Sequence, residues 1–456
     1  MSWFSRSTLD TSKLPPGDLG ASVVGNTFTF HQDAQSLILS NLRKYAGTPI
    51  IRAKVIGRDV ALVVDHTVAS AVLDSSNLHQ DGQGHGQTKR TGFSHREAYK
   101  QLIATFFSEP NILLEDEDEP GRKEHRSQWD AHLSKVLDDP WSGIESHLKS
   151  VISNYREKWI GGSSMDIYTA CKDLSHDLIF QLFLGISRMD DPELFERTLS
   201  ASDISSRGQF AIPVKASLGG MFESTYSRGL RAQQGFNAIV SDRVSGSHCP
   251  FLQPSSSSGI SKQSQNSHTS MFSSSLVIKA LSSYLTFAFL QLSVHFSANI
   301  DHLLLETERL SPPIIGVLRR VLDTPWRPTD DLEIPVGWDT WLYFPLINRD
   351  QKVYGDDANL FRPERWEETG LAEPMTFGRG SKVCLGKELV RRIGRLVLQE
   401  VTKDGVRVKI EGEVERSVQD FLGWVDDEDV RKEGWKGVKQ LPVQRPREVV
   451  KVRFER

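Results

Sequence analysis

Residues 377–386 read Phe-Gly-Arg-Gly-Ser-Lys-Val-Cys-Leu-Gly and set one cysteine, Cys384, in a glycine-punctuated turn. The chain has 3 cysteines in 456 residues, the others being Cys171 and Cys249. They are too few and too scattered for a disulfide framework, and no C-x-x-C pair suggests zinc or dithiol chemistry. Cys384 therefore acts alone or not at all. Gly378, Gly380 and Gly386 permit positive φ and close approach of the backbone to something flat or bulky. Beyond them Leu389, Val390, Ile393, Leu396 and Val397 recur at roughly helical spacing. This places Cys384 at or near a helix start, where unpaired N–H groups and the helix dipole favour a thiolate. Arg379, Lys382 and Lys387 add positive charge nearby.

A thiolate in that setting suits a nucleophile or an axial ligand of haem iron, and an inert cysteine in a glycine-rich turn has the same composition. A cysteine hydrolase needs a histidine base, and no histidine follows Cys384 in the chain. Upstream lies Glu306-Thr307-Glu308-Arg309-Leu310-Ser311-Pro312-Pro313. Glu306 and Arg309 fall on one helix face, where an ion pair can form, and the two prolines end that helix. Between this block and the cysteine come Asn348-Arg349-Asp350 and Phe361-Arg362-Pro363-Glu364-Arg365-Trp366.

Taken in order, these blocks resemble the cytochrome P450 family. The family's haem-thiolate signature, F-x-x-G-x-[RH]-x-C-x-G, is matched at Phe377, Gly380, Cys384 and Gly386; Lys382 stands where most members carry arginine or histidine. The resemblance implies a mainly α fold with small β-sheets and haem b as cofactor, with Cys384 as its axial thiolate, hence both catalytic residue and metal ligand. Lysine keeps the charge for a haem propionate but loses the planar fork of arginine. Other propionate candidates implied are His125 and Arg126 at the start of a helix, with Trp129 as an alternative, and Arg319 with Arg320 beside it. Glu306, Arg309 and Arg365 match a buried triad that braces the loop bearing the ligand.

The activity implied is that of a monooxygenase inserting oxygen into a hydrophobic small molecule, such as a secondary-metabolite intermediate. No flavin or nicotinamide fingerprint occurs, so electrons come from an external reductase, for which the basic residues Arg379, Lys382 and Lys387 offer a docking face. The net charge of −4, with 25% charged residues and no basic stripe, argues against nucleic acid as a partner. The N-terminus has no apolar spanning segment, which implies a cytoplasmic protein or one held peripherally on the cytosolic face of a membrane. A Pro/Gly-rich lead-in over 1–26 precedes a single haem domain over 27–456.

Alternation over 49–65 around Gly57 predicts a hairpin, followed by a short helix at 66–74 and a Gly/His-rich loop over 80–92. His79, His85 and His95 read as ordinary surface histidines. Helices are expected through 142–245, with Phe210–Phe222 near a substrate mouth. The pattern breaks on the distal side. The family's long central helix, with its acid–alcohol pair, belongs near 250–256, where this chain reads Pro-Phe-Leu-Gln-Pro-Ser-Ser and continues Ser/Gln-rich to Ser275. That predicts a loop over 246–275. The apolar run 276–298 is then a buried helix that can replace the central one if the intervening helix is absent. Thr286, the catalytic candidate, or Ser293 would face the haem. The segment holds no Asp-Thr or Glu-Thr pair. Three readings follow: an oxygenase with an altered distal side; a haem-thiolate enzyme that needs no proton relay, such as a peroxide user, isomerase or cyclase; or a degenerate haem-binding paralogue.

Overall fold

Alternating apolar residues along 50–63 build the first hairpin. Strands β1 (Ile50–Val55) and β2 (Arg58–Val63) pair antiparallel across Ile56 and Gly57, both at positive φ (52° and 71°). This is the two-residue turn whose twist suits a hairpin, and glycine meets its second position without strain. The computed structural model describes residues 11–456 except 23, 75–91, 101, 108–110, 117–118, 139–140, 219–221, 246–274, 412–437 and 442. His79, His85, Cys249 and nearly all of the Ser-rich stretch therefore lie outside the described residues.

The hairpin is the edge of a five-stranded sheet completed by β3 (Phe93–Ser94), β4 (Gly316–Val321) and β5 (Asp339–Tyr343) in the order β1-β2-β5-β4-β3. All pairs are antiparallel except β2 with β5. A second, three-stranded sheet joins β6 (Arg407–Ile410), β7 (Lys451–Glu455) and the short strand Met165–Asp166. The principal helices are α1 (Thr27–Lys44), α2 (His66–Asp74), α3 (Arg122–Asp138), α4 (Trp141–Ile160), α5 (Ile167–Ile179), α6 (Pro192–Gln209), α7 (Thr225–Ser245), α8 (Ser275–Leu292), α9 (Ile300–Leu310) and α10 (Lys387–Thr402). The mainly helical class with small sheets is thus as the sequence implies.

Helix α8 is buried without a break from Leu281 to Leu292. It shares one core with Ile152 and Trp159 of α4, Leu174 and Leu178 of α5, and Ile393 and Val397 of α10. Apolarity on every side is what a fully enclosed helix requires. Among the described residues no helix is long and apolar enough to cross a membrane. α10 comes so close to α8 that a Cβ on Gly394 would lie 2.9 Å from the Tyr284 ring, so only glycine permits this approach. Asn299 caps α9 by accepting from the N–H groups of Asp301 and His302, and Pro312-Pro313 follow its end. Residues 293–299 link α8 directly to α9 with no helix between them.

Candidate functional site

Gly378 and Gly380 take φ of 73° and 65°, folding residues 377–386 back so that the Cys384 N–H donates to the Phe377 carbonyl at 2.8 Å. α10 then begins at Lys387. The amides of Gly386 and Lys387 donate to the Cys384 sulfur, and the charges of Arg126 and Lys387 also favour its thiolate. Burial outweighs them and pushes the thiol pKa up. The side chain is nevertheless exposed. The residue is thus open to solvent on one side while the protein around it desolvates the sulfur.

Cations gather beside this loop. The Lys382 ammonium donates to the carbonyls of Ile112, Leu113 and Glu115 at 3.2, 3.3 and 2.7 Å. Arg122 Nη2, from the first turn of α3, donates to the Ser381 carbonyl at 3.0 Å. Arg319 is buried on β4. Its neighbour Arg320 faces the other way, as successive strand residues do, and pairs with the buried Asp339 at 3.0 Å. His95 sits among these charges. Its Nδ1 is buried without a hydrogen-bond partner. Burial first, then the charges of Lys382, Arg319 and Arg122, holds its pKa well below 6.5. The surface-histidine reading of His95 is therefore corrected: the residue, first in the short helix His95–Tyr99, is half-buried with its Nδ1 shut off from solvent.

The helix carrying His125 and Arg126 begins three residues earlier, at Arg122. His125 Nδ1 meets Glu115 Oε1 at 2.9 Å. Arg126 Nη1 donates to the Val383 carbonyl at 2.7 Å, and its Nε pairs with Asp130 at 3.0 Å. Arg126 thus lies against the residue preceding Cys384, and Trp129 is buried.

Behind the loop, the Glu306 carboxylate accepts from Arg309 Nη2 at 2.6 Å and Nε at 2.9 Å, and from Arg365 Nε at 2.8 Å. Trp366 Nε1 and the Arg362 amide add bonds at 3.0 and 2.9 Å. All three charged side chains are wholly buried. Asn348 ties this region to the cysteine loop: its Nδ2 donates to Thr376 Oγ1 and its Oδ1 accepts from the Met375 amide, at 3.0 and 2.9 Å.

The family model described as Cytochrome P450 matches residues 300–402, the stretch containing the Glu306 network and Cys384. The protein from Penicillium aethiopicum named Cytochrome P450 monooxygenase gsfF is 35% identical over 89 residues, 18% of each chain. Taxane 13-alpha-hydroxylase of Taxus cuspidata is 23% identical over 466 aligned positions covering 88% of this chain and 87% of its own. The structure of retinoic acid bound cyanobacterial CYP120A1 superposes with a TM-score of 0.70 at 16% identity, covering 98% of this chain and all of its own. Residues 300–402 thus match the cytochrome P450 family, and the chain as a whole has the fold of solved cytochromes P450. The match to the fungal relatives gsfF and, from Emericella nidulans, cicH spans only about a fifth of their length (18% and 19%).

Thr286, outside the matched stretch, has its hydroxyl engaged away from the cysteine loop. Its hydroxyl donates to the Ser282 carbonyl one turn back at 2.6 Å and hydrogen-bonds the Cys171 thiol of α5. Ser293 likewise bonds the Leu290 carbonyl. The expectation that Thr286 reaches the haem is corrected on that ground: its helix face packs against α5. Two features escape sequence reading, namely His95 and the pairing of Glu308 with Arg391. Neither belongs to a local motif.

The neutral His95 has a measurable consequence. Its folded pKa lies below the unfolded value, so the folded chain binds fewer protons than the unfolded chain once pH falls under about 6.5. Its contribution is full above that pH and declines by about 1.4 kcal/mol per unit below it, until the folded pKa is reached. Urea denaturation of haem-free protein from about pH 7.5 to 5 should show a steeper acid loss for wild type than for His95→Gln. Equal slopes would contradict the placement of the ring.

Proposed function

We propose that this chain is a haem-thiolate monooxygenase that inserts an oxygen atom into a hydrophobic small molecule. The observation carrying this reading is the exposed Cys384, whose sulfur accepts two backbone N–H bonds at a helix start. The surroundings fit haem b. A buried, partnerless His95 Nδ1 lies among the charges of Lys382, Arg319 and Arg122, a setting suited to two propionates. Haem held there would supply the oxygen chemistry, and a thiolate ligand from Cys384 would favour O–O cleavage.

The protein's own groups do the rest. The Gly386 and Lys387 amides hold the sulfur's negative charge, and Arg126 supports it from the side. Arg122 and Arg319 would orient the carboxylates and Lys382, held by three backbone carbonyls, would add charge beside them, while His125 is paired with Glu115. Phe377 and Gly380 shape the loop so that a flat ring can approach the sulfur. Ile212 and Val214 are exposed in the segment assigned to the substrate mouth, which supports an apolar substrate. The relatives' names point the same way, since taxanes and retinoic acid are large apolar molecules. A secondary-metabolite intermediate is the class we favour. Electrons come from an external reductase. On the expected docking face, Lys387 pairs with Glu373 and Arg379 lies near Asp74. A peripheral seat on the cytosolic face of a membrane, or a cytoplasmic one, is compatible with the helices described.

One observation favours a second reading, in which peroxide replaces oxygen and reductase, or the enzyme rearranges an already oxidised substrate. The hydroxyl of Thr286 is engaged with Ser282 and Cys171, and α8 carries no acidic residue to pair with it. Purified protein should show a red-shifted Soret band when reduced under carbon monoxide. Product formation from a panel of apolar substrates should then require reductase and oxygen. Turnover with peroxide but none with reductase would replace the first reading by the second.

A further inference from the structure

Glu306 and Glu308 are two positions apart on α9, about 200° around a helix, so they face opposite sides. Glu306 serves the loop at 354–366. Glu308, equally buried, faces α10 and the cysteine loop. Its Oε1 accepts from Arg391 Nε at 2.9 Å and from the Tyr284 hydroxyl at 3.0 Å, and its Oε2 accepts from Arg391 Nη2 at 2.7 Å. The Glu308 backbone carbonyl accepts from Thr376 Oγ1 at 2.6 Å. Arg391 also reaches Glu373 at 3.4 Å and lies 5.7 Å from the centre of the Phe377 ring. Helices α8, α9 and α10 and the loop 373–377 therefore converge on one carboxylate.

We infer that Glu308 and Arg391 are positioning residues for Cys384, a clamp that fixes the start of α10 and the Phe377 turn around the sulfur. Two links carry the effect. Phe377, beneath the Arg391 guanidinium, accepts the Cys384 N–H. Arg391 stands in the second turn of the helix whose first amides donate to the sulfur, so anchoring it to α9 sets the direction of those donors. A bidentate arginine–carboxylate pair resists rotation where a single contact would not. Burial raises the Glu308 pKa and pairing with Arg391 opposes that, so the carboxylate depends on its partner for its charge.

The inference rests on the haem-thiolate reading, and the test separates the two. Wild type, Arg391→Lys, and the double variant Glu308→Leu with Arg391→Met are loaded with haem, reduced and exposed to carbon monoxide. The double variant removes both charges together and so leaves none buried alone. A band at the unshifted position in wild type would overturn the haem-thiolate reading, and this inference with it. With wild type shifted, the expected result is a rise of about tenfold in the unshifted-to-shifted ratio per bound haem in the double variant, the scale of one charge-assisted hydrogen bond. Arg391→Lys, keeping charge but losing the fork, should fall between. A merely structural role would lower haem content and leave that ratio alone, and this outcome overturns the inference. If the double variant does not fold, Arg391→Lys decides: a ratio equal to wild type overturns the inference, and a raised ratio supports it.

Discussion

Replacing Cys384 with alanine should abolish the red-shifted Soret band of the reduced, carbon-monoxide-bound protein while leaving the fold in place. The residue is exposed rather than packed in a core, so its loss leaves no closed cavity and little destabilisation. The backbone bond from residue 384 to the Phe377 carbonyl survives the substitution. What disappears is the sulfur to which the Gly386 and Lys387 amides donate. Far-ultraviolet circular dichroism and the urea midpoint should stay close to wild type, while haem content falls sharply and any residual haem absorbs without the shift. The Cys171 thiol cannot substitute, being wholly buried in α5 with its pKa driven up by desolvation. A variant retaining the shifted band would remove Cys384 from the site altogether.

The parts of this site readable from sequence are those whose partners lie within a few residues or inside an ordered series of short blocks. Glu306 and Arg309 are one helical turn apart, and the Pro-Pro step fixes where that turn ends. The hairpin around Gly57 is equally local, since alternation and one glycine specify it. Glu308 is different. It lies between the two residues of a recognised pair, and its partner Arg391 is 83 residues away among many other arginines. No spacing rule connects them; only the crossing of α9 and α10 does. His95 escapes for a related reason. A histidine near glycine-rich sequence reads as surface, and the charges that act on it, those of Lys382, Arg319 and Arg122, come from three other segments. Thr286 shows the reverse error. An apolar helix with one alcohol suggests chemistry, but the direction of that hydroxyl is settled by packing against α5.

Loss of the Glu306 charge should be the most damaging single change outside the sulfur itself. Glu306→Gln keeps the shape but leaves two wholly buried guanidinium groups, Arg309 and Arg365, without their counter-ion. Their other bonds go to backbone carbonyls of Asn348, Ala358, Leu360, Tyr354 and Asp357, which compensate little of a full charge, and Arg365 retains only the half-exposed Asp357 carboxylate. Breaking a buried pair costs about 3–5 kcal/mol, a large part of the roughly 5–15 kcal/mol that holds a domain folded. The exposed pair Arg395–Asp301, with side chains 44% and 49% accessible, is the control. Asp301→Asn should cost below about 1 kcal/mol there. Urea unfolding of the two variants against wild type measures the contrast. Because Asn348 and Thr376 connect the Arg309 region to the cysteine loop, Glu306→Gln should also lower haem retention before global unfolding begins. If the two variants proved equally stable, the Glu306 network would be a bystander, and the loop bearing Cys384 would owe its position to Glu308 and Arg391 alone.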